Sequence, residues 1–154
     1  MDDLARMLIE QACERLVNSY ANLIDAYDYD AFLDLWAEDA VMNMMGRELA
    51  GRAGIRAWLE ARDPTMICRH QVTNIVTEVI DQNRATGFCY TLSYHVSGAR
   101  GQSPGPLHPP TFFVEYRSEF RRDPKRGWLF ARRDVMTPMA GPEQIRALQV
   151  ARGK

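Results

Sequence analysis

The residue pattern of this chain changes once, near Pro64. Before that point apolar residues recur at helical spacing, and after it β-branched and aromatic residues dominate segments separated by turn signals. Because helices come first and strands follow, we expect an α+β fold, with the N-terminal helices packed on a strongly curved, mainly antiparallel sheet. Such a sheet can close on itself, so the expected shape is a cone-shaped α+β barrel.

Length and charge narrow the possible classes of protein. A chain of 154 residues can build one sizeable core, so we expect a single domain over 1–154, with its core over about 4–140 and a short helical tail over 141–154. The net charge of −1 lacks the basic excess that nucleic-acid binding requires. No run approaches the roughly 18 apolar residues of a membrane span, so we expect no membrane partner.

The first residues and the cysteines indicate a cytoplasmic protein. Met1-Asp2-Asp3 carries acids where a secretory signal carries Lys or Arg. The chain has three cysteines, an odd number, and no two of them form a C-x-x-C motif; they are Cys13, Cys68 and Cys89. We therefore expect reduced core cysteines, with neither a disulfide framework nor a zinc site.

Three helices are predicted before Pro64. The first covers Leu4–Tyr27, and the second is capped within Asp28-Tyr29-Asp30 and buries Phe32, Leu35 and Trp36. A turn and a short strand follow over about 38–45 and end at Gly46. The third helix opens near Gly51, carries Ile55, Trp58 and Leu59 on one side, and stops before Pro64.

Four strands are predicted after Pro64, at about His70–Ile80, Arg84–Val96, Thr111–Arg122 and Gly127–Met136, with an exposed loop over 97–110. The second strand has two unlike faces. One face carries Phe88, Tyr90, Leu92 and Tyr94, and the other carries Ala85, Gly87, Cys89, Thr91, Ser93 and His95. Because small residues leave volume unfilled, the small face is expected to form a cavity wall, with the aromatic face under helices or a partner subunit. The opposite assignment remains open.

A histidine with a carboxylate partner is the most reactive group that these residues offer. A carboxylate that accepts from one ring nitrogen fixes the tautomer and raises the basicity of the other nitrogen. His70 and His95 lie in predicted strands, whereas His108 lies in the loop and is expected to be solvated. Among the acids near the end of the first helix, the helical wheel favours Asp28 over Asp25, although helix capping also explains Asp28. No H-x-H or H-E-x-x-H spacing indicates a metal site.

The order of several motifs resembles the SnoaL-like branch of the nuclear transport factor two superfamily. These motifs are Tyr20-x4-Asp25-x6-Phe32-x3-Trp36-x2-Asp39-Ala40, then Gly51-Arg52-x2-Ile55, Arg69-His70-x3-Asn74 and Trp128-x-Phe130-Ala131. The resemblance covers about 9–136. The branch includes scytalone dehydratase, hexachlorocyclohexane dehydrochlorinase and bile acid dehydratase. It hosts many activities, some of them non-enzymatic, so the resemblance is more specific for the fold than for the reaction.

The resemblance implies catalytic roles for Asp25, His70 and His95. In members of this branch an Asp at the end of the first helix pairs with a His at the start of the first long strand, and Asp25 and His70 match these positions. His95 matches a second active-site histidine. The tyrosines that hold substrate in scytalone dehydratase have no clear counterparts, and Met42, Met44 and Met45 stand in that region, which implies a more apolar pocket.

We therefore expect a cofactor-independent acid-base enzyme, most simply a lyase of the dehydratase type acting on a hydrophobic aromatic or polycyclic small molecule. Alternatives are an isomerase or polyketide cyclase, and a non-catalytic binding or small-subunit protein on the same fold. The expected substrate contacts are Tyr20, Tyr27, Trp36, Met42, Met44, Asn74, Thr91, Tyr116 and Arg117.

Three further expectations concern the remaining side chains and the assembly. The methionines either line a soft pocket or fill gaps in the core. The pairs Arg121-Arg122 and Arg132-Arg133 are interpreted as solvated strand edges. The aromatic face of the second strand predicts a homo-oligomer, and the resemblance implies a trimer or a dimer.

Overall fold

The computed structural model describes residues 1–151, in which two helices, a pair of short strands and a third helix are followed by four long strands and a last helix. The elements are α1 Asp3–Ala26, α2 Tyr29–Asp34, β1 Trp36–Met44, β2 Arg47–Ala50, α3 Gly51–Glu60, β3 Ile67–Val79, β4 Arg84–Val96, β5 Phe112–Asp123, β6 Gly127–Ala140 and α4 Pro142–Ala151. The predicted helical tail is present as α4, and residues 152–154 of that prediction lie outside the described residues. Strand β2 had no counterpart among the predicted elements.

The six strands form one sheet in the order β2-β1-β6-β5-β4-β3. Every neighbouring pair is antiparallel except β1 and β6, which run parallel. This confirms the α+β fold class and the mainly antiparallel sheet. The sheet is curved but does not close into a barrel, because β2 and β3 remain at opposite edges. Strand β3, rather than pairing with β2, lies beside α1.

The helices pack on one face of this sheet and form the core with it. One buried cluster contains residues of α1, α2, α3 and every strand except β3. Helix α1 contributes Cys13, Val17, Tyr20 and Ile24. Aromatic rings fill its centre, where Trp36 and Phe130 lie 5.0 Å apart between ring centroids. Burying a large apolar side chain contributes about 1.5–3 kcal/mol, so this cluster holds α1 against the sheet.

The second helix is shorter than predicted. It ends at Asp34, buries Phe32 and Leu33, and leaves Trp36 as the first residue of β1. The Phe130 N–H donates to the Leu35 carbonyl at 2.9 Å, and Trp36 is paired with Phe130 in the sheet. Pairing with a strand from the far end of the chain therefore overrides the helical spacing.

The two faces of β4 lie as predicted, with the small residues inward. Ala85 and Cys89 belong to the buried cluster shared with α1, whereas Phe88 and Tyr90 point to the opposite face and are partly exposed. Helix α1 thus covers the small face, so of the two covers expected for the aromatic face α1 is not one, and a partner subunit stays a prediction. All three cysteines are free and buried, as expected. None of the helices described here combines the length and apolarity needed to cross a bilayer.

Candidate active site

A cavity of about 150 Å³ opens on the inner face of the sheet, near the end of α1. Its wall includes Tyr20 from α1, Trp58 from α3, Met44 from β1 and Tyr116 from β5. His70 of β3 and His95 of β4 both reach it, as does Ser93. The lining is mostly apolar, with a few polar groups, which is typical of a small-molecule site.

Asp25 and His70 form a two-point contact beside this cavity. One carboxylate oxygen of Asp25, Oδ1, lies 2.6 Å from His70 Nδ1, and the other, Oδ2, accepts from the His70 backbone N–H at 2.7 Å. The side chains are nearly buried, with exposed fractions of 12% for Asp25 and 8% for His70. Both carboxylate oxygens are thus committed to one residue, which restrains the position of the imidazole ring.

The fold explains why Asp25 rather than Asp28 meets the histidine. Ala21 is buried, and Asp25 follows it by four residues, so the carboxylate lies at the edge of the buried face of α1. The helical wheel disfavoured Asp25 because it left Ala21 out of the buried stripe. Asp28 instead caps α2, accepting from the Ala31 N–H at 3.1 Å.

The edge position of β3 supplies the second half of the contact. Since β3 is the last strand of the sheet, one side of its backbone has no neighbouring strand. The His70 N–H on that side donates to Asp25 instead. An interior strand would use this N–H for sheet pairing, so the pair depends on the order of the strands.

This geometry determines which ring nitrogen can act as a base. A carboxylate only accepts hydrogen bonds, so Nδ1 carries the proton in the Asp25 contact and the neutral ring keeps its lone pair on Nε2. The Cys68 Sγ lies 3.6 Å from the same Nδ1. Burial raises the pKa of this thiol to about 12, so it stays protonated and does not compete with Asp25 as an anion.

His95 lies across the cavity edge from His70, with 5.9 Å between ring centroids. Its backbone N–H donates to the Thr111 hydroxyl at 3.0 Å, while its Nε2 is buried without a hydrogen-bond partner among the described residues. Burial, and then the charges of His70 and Arg62, lower the His95 pKa to about 4. The ring is therefore neutral at physiological pH and can serve as a neutral hydrogen-bond donor.

Two tyrosines line the inner end of the cavity above a buried arginine. The Arg133 Cζ lies 4.2 Å from the ring centroid of Tyr20 and 4.1 Å from that of Tyr116. Burial raises the pKa of both phenols, although the Arg133 charge acts in the opposite direction. Both hydroxyls therefore remain protonated.

Arg133 corrects the interpretation of Arg132-Arg133 as a solvated pair. Its exposed fraction is 0%, and its Nε and Nη1 have no hydrogen-bond partner among the described residues. Arg132 points outward and pairs with Asp134, at 2.7 Å from Nη2 to Oδ1. Successive residues of a strand face opposite sides, so the period-2 pattern of β6 could have indicated that one of the two arginines faces inward.

Some of the predicted substrate contacts line the cavity and others do not. Tyr20, Met44 and Tyr116 line it, as do the predicted catalytic residues His70 and His95, whereas Asp25 contacts the His70 ring without lining the cavity itself. Residues placed elsewhere are Tyr27, Trp36, Met42, Asn74, Thr91 and Arg117.

Core packing removes three of these residues from the cavity wall. Trp36, Met42 and Thr91 each have an exposed fraction of 0%. Trp36 packs on Phe130, and Thr91 lies one inward position deeper along β4 than Ser93, which does reach the cavity. The three residues therefore lie in the core and do not line this cavity.

The other three residues lie outside the cavity for different reasons. The Tyr27 hydroxyl lies 2.9 Å from the Asp63 carbonyl and anchors the segment after α3. Asn74 has φ 54° beside an irregularity in β3 and is exposed. Arg117 is exposed on the outer face of β5. None of these three residues therefore lines this cavity.

Sequence reasoning missed the polar and aromatic wall residues Trp58, Arg62, Ser93, Phe112 and Thr137. Trp58 was expected on the buried side of α3, and Ser93 was expected on the small face of β4, but neither was proposed as a substrate contact. Arg62 follows α3 in an irregular segment, where no periodicity indicates which way a side chain points.

One group of side chains has the proximity of metal ligands. Among the described residues, Cys68, His70 and His95 offer ligand atoms within 4.8 Å of one another. Cys68 and His70 of this group also belong to the Asp25 contact, because Cys68 Sγ lies 3.6 Å and Asp25 Oδ1 lies 2.6 Å from His70 Nδ1.

Comparison with known proteins identifies relatives of this architecture. The model of the SnoaL-like domain matches residues 5–134. A scytalone dehydratase-like protein from Novosphingobium aromaticivorans superposes with a TM-score of 0.77 at 18% identity, over 89% of each chain. Hexachlorocyclohexane dehydrochlorinase of type 2 superposes with a TM-score of 0.76 at 17% identity, over 92% of this chain and 93% of that one.

A third solved structure is somewhat closer in sequence. It is a nuclear transport factor 2-like protein with a cystatin-like fold, also from Novosphingobium aromaticivorans, with a TM-score of 0.71 at 26% identity over 96% of this chain and 97% of that one. No curated protein matches the sequence. The similarities to the dehydratase-like and dehydrochlorinase structures, at 18% and 17% identity, concern the fold.

Proposed function

The chain belongs to the SnoaL-like domain family, and from this premise we propose that it is a cofactor-independent acid-base enzyme, a lyase of the dehydratase type. The observation that carries the proposal is the two-point contact of Asp25 with His70 beside a mostly apolar cavity. In this proposal His70 is the general base, and Asp25 is the residue that orients it.

The reaction begins with His70 in its neutral form. Its Nε2 removes a proton from a carbon next to an activating group, and the electron pair of that C–H bond forms a C=C bond as the leaving group departs from the neighbouring carbon. Asp25 stabilises the resulting imidazolium through Nδ1. The leaving hydroxyl takes up the proton from His70 Nε2 and departs as water, which returns the ring to its neutral form.

Neutral donors are available for the negative charge that develops on the substrate. The hydroxyls of Tyr20, Ser93 and Tyr116 and the neutral ring of His95 belong to cavity residues. Burial keeps both phenols protonated by raising the pKa of each tyrosine. Such donors, held in place before the reaction, favour a charge that forms only in the transition state.

The size of the cavity limits the substrate. A cavity of about 150 Å³ accommodates about one benzene-sized ring. We therefore favour a substrate with a single six-membered ring and small substituents over a polycyclic compound, for which the cavity would have to widen.

Deuterium exchange tests the proposed proton transfer whatever the identity of the leaving group. Single-ring compounds with an activated C–H bond are incubated with the protein in D₂O, and products are followed by mass spectrometry. Loss of water supports a lyase, whereas deuterium uptake or a shifted double bond at otherwise unchanged mass supports the isomerase alternative. Failure to exchange or convert any compound contradicts the proposal and favours a non-catalytic binding protein.

The matched variants are Asp25→Asn and Asp28→Asn. Asp25→Asn replaces an acceptor with an amide and should lower the rate by on the order of 10²–10⁴. Asp28 lies three residues away and only caps α2, and Asn is an equally good cap, so Asp28→Asn should leave the rate unchanged. Equal rates in the two variants would remove Asp25 from the mechanism.

A further inference from the structure

Arg62 is the only side chain with a permanent charge among the described residues that line the cavity. The remaining lining residues are apolar, aromatic, hydroxyl-bearing or histidine, and none is a carboxylic acid. A mostly apolar wall with one guanidinium indicates that the bound molecule has both an apolar body and a group that the guanidinium can bind.

The guanidinium is held in place but has no anionic partner. Its Nη1 donates to the Ile24 carbonyl at 3.0 Å and lies 3.5 Å from the Tyr29 hydroxyl. The Cζ lies 4.5 Å from the Tyr27 ring centroid. None of the ion pairs within residues 1–146 includes Arg62.

Two guanidinium groups and one carboxylate lie around the cavity. Asp25 binds His70 through both carboxylate oxygens, and no ion pair joins it to Arg62 among the described residues. Arg133, beneath Tyr20 and Tyr116, is a second guanidinium without a carboxylate among the described residues. The charges of Arg62 and Asp25 both act on His95, since Arg62 lowers its pKa and Asp25 raises it, while burial is the main cause of the low pKa.

We propose that the substrate is a small ring compound that carries a carboxylate, and that Arg62 is the residue that selects it. Planar guanidinium groups bind carboxylates through charge-assisted hydrogen bonds. The inference rests on the proposed function in one respect, namely that this cavity is where the substrate binds. It names the charge of the substrate, which the Asp25–His70 contact leaves open.

A comparison of benzoate with benzamide tests this inference at equilibrium. The two molecules have nearly the same shape and differ in charge. Binding is followed by NMR through the indole N–H of Trp58 and the ring of His70, both of which line the cavity. Wild-type protein should bind benzoate at least about tenfold more tightly than benzamide, because a hydrogen bond to a charged group contributes that much.

Three variants assign this preference to one side chain. Arg62→Gln should bring the two dissociation constants close together, and Arg62→Lys, which keeps the charge, should retain most of the preference. Arg100 is the matched control, because its Cζ also lies over the Tyr27 ring, at 4.0 Å, but it does not line the cavity. Arg100→Gln should leave the preference unchanged.

Two results with the wild type would overturn the inference. One is equal dissociation constants for benzoate and benzamide, and the other is no shift of the NMR signals of Trp58 and His70 when either ligand is added. A preference that survives in Arg62→Gln would also overturn it. His70→Asn separates this result from the proposed function. If that variant keeps the preference for benzoate while no compound exchanges or reacts with the wild type, the anion site stands and the proposed lyase activity fails.

Discussion

A single buried imidazole makes the stability of this protein depend on pH. The His95 pKa is lowered from 6.5 to about 4, first by burial and then by the charges of His70 and Arg62, while Asp25 acts in the opposite direction. Between these pH values the unfolded chain binds a proton at His95 and the folded chain does not. The free energy of unfolding therefore falls as the pH drops from 6.5 toward 4.

We expect the His95→Asn variant to lose this dependence. Between pH 7 and pH 4 the free energy of unfolding should fall by on the order of 3 kcal/mol more in the wild type than in the variant. This figure is an upper limit, set by the difference between the His95 pKa in the folded and unfolded states. Urea denaturation at a series of pH values measures both proteins. If the free energy of unfolding changes with pH in the same way for the wild type and for His95→Asn, then His95 titrates alike in the folded and unfolded states.

At the level of elements, two glycines should respond oppositely to the same substitution. A Cβ at Gly87 of β4 would lie 2.7 Å from Cε2 of Phe120, whose ring is buried and lies 5.2 Å from Phe130. At Gly54, inside α3, the nearest atom is the Leu49 carbonyl carbon at 3.4 Å. Strand β4 thus has no room for a methyl group, whereas α3 has.

Gly87→Ala should destabilise the protein by about 1–3 kcal/mol, because the Phe120 ring must shift within a packed core. Gly54→Ala should stabilise it by about 0.5–1 kcal/mol, because alanine favours the helix. Denaturation midpoints at unchanged m-value measure both changes. A neutral Gly87→Ala would mean that the Phe120 ring moves freely.

On the scale of the whole molecule, the outer face of the sheet carries an aromatic cluster that α1 does not cover. It consists of Phe88, Tyr90 and Phe113, with ring centroids 5.0 Å apart for Phe88 and Tyr90 and 5.1 Å apart for Tyr90 and Phe113. Helix α1 packs on the opposite face, with Ala85 and Cys89. The cluster supports the expectation of a homo-oligomer, which stays a prediction.

Tyr90→Glu should shift the protein toward monomers, because a carboxylate at the centre of the cluster would be costly to bury in an interface. Sedimentation equilibrium measures the mass and also separates a dimer from a trimer. Leu8→Glu is the control, since Leu8 is an exposed apolar residue of α1, away from the cluster. An oligomer that survives Tyr90→Glu but dissociates in Leu8→Glu would place the interface on α1.

The sequence by itself predicted most of the elements, because their signals are local. Predicted and observed ranges agree completely for β4 and differ by one residue at each end for α1, and the four long strands β3 to β6 follow α3 as expected. The period of apolar side chains and the turn residues act between near neighbours, so they can be read without knowing the fold. The inward face of β4 followed from the same alternation.

The tertiary structure alone decided which distant segments meet. The parallel pairing of β1 with β6 turned Trp36 into a strand residue, and the edge position of β3 freed the His70 N–H for Asp25. Burial of Arg133 and exposure of Arg62 to the cavity also depend on segments far apart in the chain. Such contacts form when whole elements pack their apolar faces together. That packing decides which polar groups come close to one another, and the local spacing of residues in the sequence does not indicate which groups these are.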